Sequence, residues 1–131
     1  LLKEKIIPEI YLSSSAKRAK DTCQIIMNQI DNVPLSRMEV NQEIYSNGLL
    51  GVANSIKNMD LIDDINFIAI FGHNPTFEII YNKIKGTNHH KFPTCAMVLC
   101  SFNAEKWIDF SIESSTFIYY NYPENIKNYF K

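Results

Sequence analysis

Phe67-Ile68-Ala69-Ile70-Phe71-Gly72-His73-Asn74-Pro75-Thr76 is a short apolar run that ends on a glycine, a histidine and an Asn-Pro pair. The apolar part is continuous rather than alternating, as in a strand covered on both faces. Pro75 suits the first position of a helix, where a missing N–H costs nothing, and Asn74 suits the cap. The stretch therefore predicts strand, turn and helix, with His73 at the carboxyl end of a buried strand. Free amides of the first helical turn then face His73, and an anion placed there meets N–H donors and the positive helix end. A solvated turn histidine gives the same letters, so a second element has to decide.

Glu9 to Ser13 reads as another short strand, and Tyr11-Leu12-Ser13-Ser14-Ser15-Ala16-Lys17-Arg18-Ala19-Lys20-Asp21-Thr22 leads from it into a helix. From Ala16 the apolar positions Ala16, Ala19, Cys23, Ile26 and Ile30 recur at three and four, a helical stripe. Ser14 or Ser15 suits the N-cap. Arg18 falls in the first turn, where a cation is unfavourable against the helix dipole unless an anion binds there. A solvated arginine on a helix face is the plain alternative.

Each element is strand, turn and helix, with its polar group at the edge where open α/β sheets bind ligands. Together they supply an arginine fork suited to phosphate oxygens, an imidazole and two helix N-termini. No carboxylate pair or cysteine-histidine cluster asks for a metal, and no cofactor is expected. The combination reads as a phosphoryl pocket.

The same residues carry a family resemblance. Leu12-Ser13-Ser14-x-Ala16-x-Arg18-Ala19-x-x-Thr22, then Gly72-His73-Asn74-Pro75 about fifty residues on, then Phe92-Pro93-Thr94-Cys95-Ala96, resembles the histidine phosphatase superfamily, most closely its small SixA-type phosphohistidine phosphatases. The resemblance spans nearly the whole chain. It implies a metal-independent phosphatase of α/β class, with a three-layer α/β/α, phosphoglycerate-mutase-like fold, a mostly parallel sheet and a C-terminal hairpin, in a single domain over residues 1–131. In that family a nucleophilic histidine in an N-terminal Arg-His-Gly motif takes the phosphoryl group, and a second arginine and a second histidine complete the pocket. Arg18 and His73 match those two, and are the expected catalytic and phosphate-binding residues. Ser14 matches the serine of the family's Ser-Pro turn, with Ser15 standing where proline is usual; Ser14 and Asn74 are the further candidates for the phosphate site. The implied partner is phosphate or a phosphorylated substrate, either a phosphohistidine protein or a small phosphomonoester.

Arg-His-Gly does not occur in the 131 residues. In the family that motif ends the first strand, ahead of the Ser-Ser segment, so a complete member needs on the order of forty more residues before Leu1. Leu1-Leu2-Lys3-Glu4-Lys5-Ile6-Ile7 looks like the tail of a helix. The expectation is an N-terminally truncated domain, lacking its first strand and helix and inactive alone. Glu43 is the one acidic residue near the middle of the chain that can approach the site as a general acid, and a solvated loop glutamate is the plainer reading.

His89 and His90 lie in the polar loop Gly86-Thr87-Asn88-His89-His90-Lys91. Adjacent side chains point in different directions and no ligand cluster completes a site, so a solvated loop is expected rather than a metal pair. Cys23, Cys95 and Cys100 are odd in number and lack Cys-x-x-Cys spacing, as expected for small core residues in a reducing compartment. With 46% hydrophobic residues the chain can build one core, and a net charge of −1 gives no basic footprint for nucleic acid or an anionic membrane. No apolar run approaches membrane-spanning length. A cytoplasmic domain is the expectation.

Elsewhere, Met38 to Val40 is a strand candidate, and Leu49, Val52, Ala53, Ile56 and Met59 form the apolar face of a second helix. The third helix runs from Pro75 to about Lys85 on a stripe of Phe77, Ile80, Tyr81 and Ile84, with Gly86 as C-cap. Ala96 to Phe102 predicts a strand. After a turn at Asn103 to Lys106, the alternation of Ile108, Phe110 and Ile112 with Asp109, Ser111 and Glu113 predicts an edge strand, followed by an aromatic tail packed over the sheet edge. Two other functional classes stay open: a non-catalytic module that binds phosphate through Arg18 and His73, and another superfamily branch acting on sugar phosphates, phosphoglycerate or nucleotides.

Overall fold

β1 (Ile10–Ser13) is the strand around which the sheet is ordered. In the computed structural model, which describes residues 7–30, 33–61, 65–93 and 96–122, β1 lies between β2 (Met38–Val40) and β3 (Ile68–Phe71). Both pairings are parallel. Tyr11 stands opposite Met38 and Ala69, and Ser13 opposite Val40 and Phe71. All four β1 residues are buried, as a central strand requires.

The pleat sends Tyr11 to one face of the sheet and Leu12 to the other. On the Tyr11 face, α1 (Lys17–Gln29) covers the sheet with Cys23 and Met27, joined by Ile30, against Ala69 and Phe71. On the Leu12 face, α3 (Gly48–Lys57) and α4 (Thr76–Lys85) bring Val52, Ile56, Phe77 and Ile80 against Ile10, Leu12, Ile68 and Ile70. The chain is therefore mixed α/β, with helices on both faces of a three-stranded parallel sheet. A separate antiparallel hairpin is formed by β4 (Met97–Phe102) and β5 (Ser115–Asn121).

Several elements depart from what the residue pattern predicts. The α1 stripe runs through Ala19, Cys23, Met27 and Ile30, while Ile26 is 36% exposed: the helix turns its sheet-facing side by one residue. The segment before α3 forms its own short helix, α2 (Gln42–Ser46), because Asn41 Oδ1 accepts the Glu43 N–H and caps it. Gly48, the first residue of α3, lies at φ +52°, a conformation that glycine adopts without strain. At Gly51, where α3 crosses α2, a Cβ would lie 1.8 Å from the Glu43 carbonyl oxygen, so the approach of the two helices requires glycine.

The expected strand at Ile108 to Glu113 is instead a short 3₁₀ turn (Trp107–Asp109) and a bend. Phe110 and Ile112 both dip into the core while Ile108 is exposed, which mimics strand alternation without a ladder. Trp107 Nε1 donates to the Ile65 carbonyl at 2.7 Å and pins the turn to the rest of the domain. The second hairpin strand is β5, drawn from the aromatic segment expected to form a tail. Its Tyr120 stacks on Tyr81 of α4 at 4.4 Å and joins Phe92, so the aromatic residues bind the hairpin to α4. Tyr129 and Phe130, the helical tail proposed for residues 1–7 apart from Ile7, and Thr94-Cys95 lie outside the described residues.

The four residues of β3 are only half-buried, rather than covered on both faces as their continuous apolar run predicts. β3 pairs with β1 on one side, and among the described residues no strand pairs with its other edge. No helix among the described residues is long and apolar enough to cross a membrane.

Candidate functional site

The register of β1 and β3 brings two distant turns together. Ser13 is the partner of Phe71, and the Ser14 N–H donates to the Phe71 carbonyl at 2.9 Å, so both chains leave the sheet at the same level. Beyond that point Ser14 Oγ and His73 Nε2 are 2.6 Å apart. Ser14 is fully buried, and its Oγ also accepts the Ala16 N–H at 3.1 Å. That bond gives the Ser14 hydroxyl the local turn-closing role expected of a serine ahead of a helix, although α1 itself is counted from Lys17.

His73 is half-buried. Its ring meets Tyr45 of α2 edge to face, with centroids 5.5 Å apart and planes at 87°. Its carbonyl accepts the Phe77 N–H at 3.0 Å. Gly72 leaves room for the Phe77 ring: a Cβ there would lie 2.7 Å from it, so any larger residue would force that ring to shift.

Arg18 occupies the first turn of α1, exposed and without an ion pair among the described residues. Its neighbour Lys17 is paired with Asp21 at 2.6 Å, which leaves Arg18 and Lys20 as the cations of this turn without an ion pair among the described residues. The Lys17, Arg18 and Ala19 amides have no hydrogen-bond acceptor among the described residues, as at any helix start. The two helix N-termini therefore differ. At α4 the amides expected to be free are taken: Phe77 N–H by the His73 carbonyl, Glu78 N–H by Asn74 Oδ1 at 3.1 Å, and Ile79 N–H by the Pro75 carbonyl. The Asn74–Pro75 peptide is cis.

Asn74 uses both ends of its side chain as a brace, with Nδ2 donating to the Phe92 carbonyl at 2.7 Å. It ties the turn to the segment that precedes β4. The structure thus brings Ser14 and His73 into contact, puts Arg18 one helical turn beyond Ser14, and commits Asn74 to holding the turn. Glu43 sits in the first turn of α2, where a carboxylate suits the helix dipole, which accounts for it without a role in proton transfer.

Tyr45 is the residue that sequence reasoning missed. It is 60% exposed beside His73, and the signal for it was the Asn41 cap, which fixes a helix whose Ile44 is buried and whose next residue faces outward. No family model, curated protein or solved structure matches this chain.

A groove of about 430 Å³ lies along the C-terminal half of α4, lined by Glu78, Asn82, Lys83, Thr87 and His89. Three of its polar side chains, Asn82, Thr87 and Glu78, are engaged by the fold. Asn82 donates to the Glu78 and His90 carbonyls and accepts from Thr87 Oγ1 and the His90 N–H, and Glu78 Oε1 accepts the Phe92 N–H. His89 and His90 are exposed, and among the described residues no group of three or more His, Cys, Asp or Glu side chains could hold a metal ion. Cys23 is buried, and burial pushes its thiol up to about 11, which makes it an unreactive core residue.

Proposed function

We propose that the turns after β1 and β3 form the phosphoryl-binding half of a histidine-phosphatase site, in a cytoplasmic domain of phosphoglycerate-mutase-like fold. The substrate we assign is phosphohistidine in a protein. The observation that carries this reading is the 2.6 Å contact of Ser14 with His73, which joins two motifs 59 residues apart in sequence. Their meeting point is the carboxyl edge of a parallel sheet, where ligands bind in α/β folds.

In this reading Arg18 grips phosphoryl oxygens through its guanidinium fork, supported by the open amides of α1. His73 donates a hydrogen bond to a phosphoryl oxygen and stabilises the charge of the transferring group. A histidine nitrogen attacks phosphorus; the new N–P bond forms as the bond from phosphorus to the substrate nitrogen breaks, and that nitrogen leaves already protonated. Water then attacks the phosphoenzyme, the N–P bond breaks and phosphate is released. None of the three histidines stands in an Arg-His-Gly motif, so the reading assigns the attack to a histidine on a strand paired with the open edge of β3.

The absence of Arg-His-Gly also favours a second reading, a module that binds phosphate through the same Arg18 and His73 and turns nothing over. One experiment separates the two. Joining a strand that ends in Arg-His-Gly to the front of the chain should create metal-independent hydrolysis of a phosphohistidine peptide. His73→Ala in that protein should lower turnover by roughly a hundredfold or more, the scale for deleting one transition-state donor. Phosphate binding without turnover in the joined protein favours the module. Hydrolysis by the unmodified chain, abolished by His73→Ala, contradicts the role given to His73.

A further inference from the structure

We infer that Ser14 is a positioning residue that fixes which nitrogen of His73 carries the proton. A hydroxyl has one proton to give and two lone pairs to accept with. Ser14 Oγ already accepts the Ala16 N–H, and its only other polar neighbour among the described residues is His73 Nε2. The residue is fully buried, so no solvent water takes the hydroxyl proton. Ser13 does not compete, because its own hydroxyl donates to the Ser14 carbonyl.

Two arrangements of the 2.6 Å contact are possible for a neutral ring. If Nε2 carried the proton it would donate to Ser14 Oγ, and the Ser14 hydroxyl proton would be buried without an acceptor. If Nε2 is bare, Ser14 donates to it, and the Ser14 hydroxyl is satisfied both as donor and, through the Ala16 N–H, as acceptor. An unmade hydrogen bond in a buried site is what folded proteins avoid, so the second arrangement holds. The proton then sits on Nδ1, because the bond made by one ring nitrogen sets the state of the other. Tyr45 packs edge to face against the same ring.

This arrangement makes His73 a one-sided donor: Nε2 is closed off by Ser14, and the Nδ1–H is the atom that can meet an anion. It rests on the phosphoryl reading only in its last step, where Nδ1–H meets a phosphoryl oxygen. It also explains why His73 stabilises and does not attack, since neither nitrogen of such a ring has a free lone pair.

The test is the two-bond ¹H–¹⁵N correlation spectrum of the ¹⁵N-labelled chain at about pH 8, above the ordinary range of imidazole titration. His73→Gln assigns its signals, and the exposed His89 and His90 serve as references. His73 should show an unprotonated Nε2 and a protonated Nδ1. Ser14→Ala should shift it to the pattern of the reference histidines, and Ser14→Thr, which keeps the hydroxyl, should restore it. A wild-type His73 protonated on Nε2 overturns the proposal even if no variant folds, as does a Ser14→Ala spectrum unchanged at His73. Inorganic phosphate is then added to the wild type. Movement of Nδ1 supports the last step; a silent titration with the proton on Nδ1 contradicts the phosphoryl reading alone and leaves the role of Ser14 in place.

Discussion

Ser13 of β1 and Phe71 of β3 are register partners in adjacent parallel strands, and this pairing sets Ser14 and His73 in contact. A register shift of one residue would turn every β3 side chain to the opposite face. The site is therefore as stable as the core that holds the register, and the first predictions concern that core.

Gly51→Ala should destabilise the fold by about 3 kcal/mol or more, because the new methyl collides with backbone and no rotamer change relieves it. Gly86→Ala is the control. A methyl on Gly86 would meet nothing within 4 Å, and only the φ of +75° disfavours it, so the cost should be about 1 kcal/mol. Urea unfolding of the two variants measures the difference, and equal midpoints would contradict the close packing of α2 on α3.

Stability should fall at alkaline pH. Burial holds the Cys23 thiol at about 11, whereas an unfolded thiol titrates near its ordinary value of about 8.5. The folded state keeps a proton that the unfolded state loses between those values. The contribution is complete below the unfolded value and is lost as pH rises through the folded one, on the order of 3 kcal/mol in all. Tyr11, raised by burial and then by Cys23, adds a fall of the same sign. Urea midpoints measured across this range should decline, and less steeply in Cys23→Ala; a slope unaffected by the substitution would assign the loss to other groups.

Asn82→Ala should loosen the loop from Gly86 to Phe92 by about 1 to 2 kcal/mol, since one amide side chain makes three hydrogen bonds to it, one to Thr87 Oγ1 and two to the backbone of His90. The His90 amide, which donates to Asn82, should exchange with solvent faster, while the amides of β1 keep their protection. Uniform acceleration across the chain would mean that the loop is part of the global unit.

The punctuation of the chain made the two strand-turn-helix units legible: Gly86 ends α4 in the left-handed conformation, and the apolar run to Phe71 is β3. The hairpin was not legible in the same way. Phe110 and Ile112 alternate as in a strand, yet they are buried from an irregular segment held by Trp107, a tertiary bond to Ile65 that no local pattern announces. The residue pattern points to α4 as an anion-ready helix end, but Asn74 and the His73 carbonyl consume its amides; capping satisfies the very donors it was expected to leave free. Arg18, His73 and Ser14 can be picked out by residue type and position. The contact between Ser14 and His73 cannot, because it depends on a register between strands more than fifty residues apart.

Anion binding at Arg18 is the most direct test of the phosphoryl reading. Calorimetry with inorganic phosphate or vanadate should detect weak binding to the chain, Arg18→Ala should weaken it by about 1.5 to 3 kcal/mol, and Arg18→Lys should lose much of the affinity because an ammonium lacks the fork. Equal affinity in the wild type and Arg18→Ala would contradict the account.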